Sequence, residues 1–331
     1  MTKREIRENL TGYAFLIPWF IGILVFTAFP FIYSMYLSFT DYNFVKEMQF
    51  IGLDNWKRMF SIKPTGFDFK AFMKSDLYMS IKATFTYSFV SVPVRMILAM
   101  SAALALNRKA RGVGVYRTIF YMPSFIGGSI GMAVMWKLIL TDRGFVNAML
   151  NIFGLGPVSF LSSPRNAVFT LAGISMYTLG STMLIFLAGL QEVPTDLYES
   201  ATIDGAGRWS QFIKITLPMV SPVILYNVIM SIIGSLQVFS SAFVITKGGP
   251  IKSTYFFALY LYEEAFKYFR MGYASALAWF IFFVIMIFTL IMLRVSGGLV
   301  FYESDISRAK KDIKDEIRNR KRRLKRRGAA A

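Results

Sequence analysis

The residues best placed to do work in this chain are Glu199, Ser200, Ala201, Asp204, Gly205 and Ala206, followed by Phe212, Ile215, Leu217 and Pro218. They interrupt two long apolar runs, about 167–190 and 219–246, with a short polar stretch. Catalysis is not the chemistry they suit. The chain has no Cys and no His, which excludes thiol, disulfide and histidine-based metal or acid–base sites. No Asp or Glu falls inside an apolar run, so a proton-coupled carrier or an intramembrane hydrolase lacks its carboxylate at membrane depth. What remains is docking. Pro194 or Thr195 can start a helix. Leu197, Tyr198, Ala201 and Thr202 then share a short face with a small centre. Gly205 can take the left-handed conformation that closes the helix. A second short helix near 208–215 carries Trp209, Phe212 and Ile213. Such a mostly apolar face fills a groove on another protein.

The elements that hold this loop are read from hydropathy. Of 331 residues, 55% are hydrophobic, and six windows reach the ~20 residues that cross a bilayer core as helix. They are about 13–39, 80–106, 118–140, 167–190, 219–246 and 274–294. Backbone polar groups in lipid must pair within their own segment, so the runs are helices. The fold expected is an all-α polytopic membrane protein with six transmembrane helices. The first run is too long for a signal-peptide core and is read as a retained span. Pro123 is expected to start or kink the third span, and Pro30 and Pro93 to bend theirs. Six spans put both termini on one side. Of 37 basic residues, 22 fall on that side, 12 on the other and 3 within spans, which places both termini and the 199–218 loop in the cytoplasm. Residues 1–12 are then a cytoplasmic N-terminus, 13–295 the membrane domain containing the 191–218 loop, and 296–331 a basic cytoplasmic tail. In the tail Ile306, Ile313, Ile317 and Leu324 recur at near-heptad steps among basic residues. It reads either as an amphipathic helix on anionic lipid or as a solvated tail that fixes topology.

The outer connections are 40–79, 141–166 and 247–273. In the first, Phe50 to Trp56 reads as a turn and short helix with Asp54 or Asn55 as its N-cap. The fifth span is the most polar: Asn227, Ser231, Gly234 and Ser235 follow one side, with Gln237 nearby. These residues suit a sugar path, with Tyr177, Tyr226 and Tyr87 as aromatic platforms. They equally suit close helix packing. Arg95, near the centre of the second span, must face protein, water or substrate. It either contacts an anion or bonds helix carbonyls.

The spacing in the loop resembles the EAA motif of ABC importer permeases: Glu-Ala-Ala, three residues, Gly, nine residues, Ile, one residue, Leu-Pro. Glu199, Ala201, Gly205, Ile215, Leu217 and Pro218 match, and Ser200 replaces the second-position alanine. Asp204-Gly205-Ala206 and Phe212 are similar to the carbohydrate branch. Thr246-Lys247-Gly248-Gly249-Pro250, Ser253-Thr254 and Ala265-Phe266 resemble the last outer loop of sugar permeases, and Met271 to Ala276 the start of their final span. Phe50 to Trp56 resembles the first outer loop of the maltose-type and glycerol-phosphate-type first membrane subunit. The resemblance implies a type I ABC importer permease in a bacterial cytoplasmic membrane. It implies a second, different permease, two ATP-binding subunits docked on the 199–218 coupling loop, an extracytoplasmic solute-binding protein and a saccharide substrate, neutral or acidic. ATP and Mg would sit on the partner subunits. This chain has no Gly-x-x-x-x-Gly-Lys-Ser/Thr phosphate loop, and no cofactor, metal or nucleic acid is expected on it. The competing classes are a six-span channel and a carrier without ATPase coupling. A channel needs a filter sequence or an arginine-repeat sensor helix, and the chain has neither.

Overall fold

The structure, a computed structural model, describes residues 3–45, 47–63, 66–108 and 111–296. The expectations for Lys109 and for most of the basic tail lie outside them. The described residues are mostly helical, with one two-stranded antiparallel ribbon, Ile62–Lys63 with Gly66–Phe67. Three continuous helices are long and apolar enough to cross a membrane: Thr11–Leu37, Asp76–Leu106 and Met271–Ser296. Three more candidates are each broken: Val113–Ile126 with Ile130–Ile152, Pro164–Thr178 with Gly180–Gln191, and Arg208–Met219 with Ser221–Leu236.

The breaks lie elsewhere than at the prolines expected to bend the spans. The 118–140 run breaks at Gly127-Gly128-Ser129, one turn beyond Pro123, which lies inside the Val113–Ile126 helix rather than starting it. Two adjacent glycines lower helix propensity enough for packing to decide the path there. The 167–190 run narrows to a 3₁₀ turn at Met176–Thr178. The 219–246 run is helical from Ser221 only to Leu236, and its later part holds a π-helical turn, Ala242–Thr246. Residues 237–239 leave the helical conformation between the two. Pro93 sits within one continuous helix. Pro30 and Pro218 each follow a π-helical turn, Leu24–Ala28 and Phe212–Thr216, by two residues. A proline removes one helical donor and crowds the carbonyl four residues back. The preceding turn widens instead, so that Phe29 N–H reaches Leu24 O and Leu217 N–H reaches Phe212 O.

The described residues form two compact units. The first comprises 3–88, 133–171 and 235–287. In it Trp279 donates to Ser34 Oγ at 3.1 Å and packs on Phe31, joining the first long helix to the last. Asn55 is buried, and its amide donates to Ser38 O and Thr40 O, both at 2.9 Å. It is therefore a tie to the end of the first helix, not an N-cap. The cap position belongs to Leu53, which has no side-chain acceptor, and Asp54 adds charge to the first turn. Asn147 similarly holds the 141–158 loop, bonding Thr141 O and both backbone groups of Val158.

The second unit comprises 89–132, 172–234 and 288–296. Its core is Ala99, Ala103, Leu106, Met183, Phe186, Leu187, Leu190, Val193 and Val220. Small residues bring the helices together: a Cβ on Gly189 would meet Val223 Cγ2 at 2.7 Å, and one on Gly180 would meet Phe120 O at 2.3 Å. Close approach of this kind is how helices associate where water supplies no hydrophobic drive.

Candidate functional site

The loop occupies one end of the second unit. Its first helix is Thr195–Ile203, with Pro194 extended at the cap position. Gly205 takes φ +78°, and Ala206 N–H bonds Ala201 O at 2.8 Å while Gly205 N–H bonds Thr202 O at 3.1 Å. That pair of bonds is a Schellman closure, which satisfies the last carbonyls of a helix. The chain then enters Arg208–Gln211 and the π-helical turn Phe212–Thr216, and bends by 66° into Ser221–Leu236.

Two side-chain contacts lock the halves together. Tyr198 Oη and Thr216 Oγ1 are 2.9 Å apart. Gln211 Nε2 donates to Thr202 Oγ1 at 3.0 Å and to Ala206 O at 3.1 Å. Tyr198 and Ile215 also pack against the unit's core. The shared face expected for Leu197, Tyr198, Ala201 and Thr202 is therefore split. Tyr198 and Ala201 are half-buried, while Leu197 and Thr202 are exposed. The free apolar surface comes instead from Leu197, Ile203, Trp209 and Ile213, with Ile203 86% and Trp209 72% exposed. Trp209 is stacked on half-buried Phe212, with ring centroids 5.5 Å apart. Glu199, Ser200 and Asp204 are exposed beside this surface, and Leu217 and Pro218 lead back to the membrane helices. Sequence reasoning missed Gln211 and Thr216. Thr216 stands at the unspecified position between Ile215 and Leu217, where spacing carries no signal.

The residues considered for a substrate path separate by environment. Asn227 is 3% exposed, and its amide nitrogen has no hydrogen-bond partner among the described residues. Ser231 is half-buried and Ser235 buried on the same helix. Gln237 lies just beyond the helix end and is exposed. Tyr177 and Tyr226 are exposed. Tyr87 is buried against Phe256, at 5.0 Å between centroids, so it offers no open platform. Arg95 donates to Ser175 O at 2.6 Å and lies 3.4 Å from Thr178 Oγ1. At the 3₁₀ turn 176–178, Ser175 O is met by two side-chain donors, Arg95 and Thr178 Oγ1 at 3.1 Å. A bond to a helix carbonyl, one of the two roles open for Arg95, is thus present.

Helices of membrane-crossing length and a surface loop fastened to them are the features to be placed in a family. Residues 95–299 match the family of binding-protein-dependent transport system inner membrane components, and the chain belongs to that family. It is 43% identical over 306 residues to the probable ABC transporter permease protein YesP of Bacillus subtilis, covering 91% of this chain and 96% of that one. It is 34% identical over 300 residues to the trehalose/maltose transport system permease protein MalF of Thermococcus litoralis, covering 89% and 96%. Its fold is that of the type I ABC importer permeases. A crystal structure of a bacterial ABC transporter that imports the acidic polysaccharide alginate superposes with a TM-score of 0.76 at 26% identity, over 90% of this chain and 99% of that one.

Proposed function

We propose that this chain is the first membrane subunit of an ATP-driven, binding-protein-dependent saccharide importer. Residues 13–295 form six spans, each broken helix pair counting as one, with both termini and the 191–218 loop in the cytoplasm. A second, different permease completes the path, two ATP-binding subunits carry ATP and Mg, and an extracytoplasmic binding protein delivers the sugar.

The observation that carries this reading is the loop's geometry. Ile203 and Trp209 stand exposed on a turn that Tyr198, Gln211 and Thr216 fasten to the membrane helices. An apolar knob fixed to the transmembrane core passes a push from a partner into that core, whereas a slack loop would absorb it. Glu199, Ser200, Ala201, Asp204, Gly205, Ala206, Phe212, Ile215, Leu217 and Pro218 build the knob and its attachment. Asn227, Ser231, Ser235, Gln237 and Tyr177 line the sugar path, Asn227 being the strongest because its buried amide nitrogen has no partner among the described residues. Arg95 braces the helix break beside Tyr177 rather than meeting the sugar. The substrate classes of the sugar-transporting relatives support a saccharide cargo.

The test is ATP hydrolysis by the assembled complex in proteoliposomes, with binding protein and a panel of neutral and acidic saccharides. Stimulation by a saccharide-loaded binding protein supports the reading. A complex that hydrolyses ATP but answers no saccharide would send the cargo to another class.

A further inference from the structure

A groove of about 480 Å³ lies within the first unit, outside everything assigned above. Its lining is largely apolar, from Met79, Val168, Phe169 and Ile251, and it also carries Lys82 and Arg165. Ile251 is 88% exposed and Phe169 51% exposed at its rim. Lys252 also borders it, but pairs with Asp76. Lys82 and Arg165 meet no carboxylate among the described residues. Lys82 stands six residues into the helix that begins at Asp76, about 9 Å along its axis. Arg165 is the second residue of the helix that begins at Pro164.

We propose that this groove binds one anionic phospholipid of the phosphatidylglycerol class. On the orientation proposed above, on which this inference rests, the lipid belongs to the outer leaflet. Two unpaired cations at the mouth complement a phosphodiester, and long basic side chains reach interfacial depth while their stems stay on apolar surface. Phe169, Ile251 and Met79 suit an acyl chain. A saccharide carboxylate would satisfy the cations but leave the apolar wall against water.

The experiment is native mass spectrometry of the assembled complex, titrated with dioleoylphosphatidylglycerol against dioleoylphosphatidylcholine. Wild type is compared with Lys82→Gln/Arg165→Gln and with Arg143→Gln, an exposed cation that does not line the groove. Retained phosphatidylglycerol is expected, its apparent affinity falling about fivefold per cation removed and unchanged in Arg143→Gln. Equal retention in all three proteins overturns the site. Loss of the lipid to inorganic phosphate or a uronic-acid trisaccharide shows a small-anion or sugar site and overturns it too, as does a wild-type complex that retains none. Orientation is read separately. The chain has no Cys, so Ser159→Cys reports its side cleanly with an impermeant maleimide. Labelling from outside is expected, and labelling only from the cytoplasm overturns the leaflet assignment.

Discussion

The hydroxyls of Tyr198 and Thr216 lie 2.9 Å apart, across the turn that separates two short helices. Tyr198 belongs to the first helix and packs on the core of its unit. Thr216 closes the π-helical turn that precedes Pro218 and is itself buried. The contact therefore ties the outer helix of the loop to the start of the next membrane helix. Tyr198→Phe removes it while keeping the ring. We expect a stability loss of about 1 kcal/mol and more ATP hydrolysed per sugar imported. Thr216→Val should do the same, and the double variant should cost less than both singles summed, because the residues share one contact. Strict additivity in a double-mutant cycle would break the link.

Gly205 tests the turn itself. A Cβ there meets nothing within 4 Å, so any cost comes from φ +78° alone. Gly205→Val should destabilise the loop by about 1–2 kcal/mol and lower stimulated ATP hydrolysis, whereas Gly205→Asn should keep most of it. Equal activity in both variants would show that the backbone conformation is dispensable.

Trp209 separates docking from folding. Its ring is exposed, so Trp209→Ala should change the stability of the isolated chain by less than about 0.5 kcal/mol. Its binding to the ATP-hydrolysing partner should weaken by about 2 kcal/mol, the scale of an aromatic anchor. Pull-down at graded partner concentrations measures this. Unchanged binding would move the docking surface elsewhere.

Arg95 bears on substrate chemistry. With Ser175 O as its partner, Arg95→Gln should lower stability by about 1–3 kcal/mol through the loss of a charge-assisted bond, Thr178 Oγ1 remaining as the carbonyl's other donor. The order of preference among neutral and acidic saccharides should not change. A selective loss of acidic substrates would make Arg95 an anion contact after all.

The loop was the most legible part of the sequence because its chemistry is local. Proline before the helix and a glycine able to turn left-handed each act within a few residues, and Pro194 and Gly205 stand where that reasoning puts them; the longer distance to Leu217-Pro218 comes from the family resemblance. What local chemistry cannot give is which face turns inward. Tyr198 goes in because a core waits for it and Ile203 stays out because none does, and that core is assembled from residues as distant as Ala99. Helix breaks were illegible for a related reason. Apolar composition satisfies a membrane window whether or not the helix runs straight, and at the 176–178 turn a carbonyl is met by Arg95, some eighty residues earlier, as well as by Thr178. Asn55 looked like a cap by position but serves carbonyls at Ser38 and Thr40 that only the folded chain brings to it.

The most direct test of the account crosslinks the knob to its partner and asks for work. Ile203→Cys in this cysteine-free chain, paired with single cysteines along the cleft of the ATP-hydrolysing subunit, allows a reversible disulfide in the assembled complex. A crosslink at Ile203 is expected, with full ATP hydrolysis restored on reduction, and saccharide uptake lost in Ile203→Asp although the chain still folds. Uptake at the wild-type rate in Ile203→Asp, with no crosslink at any cleft position, would contradict the claim that this loop receives the work of ATP.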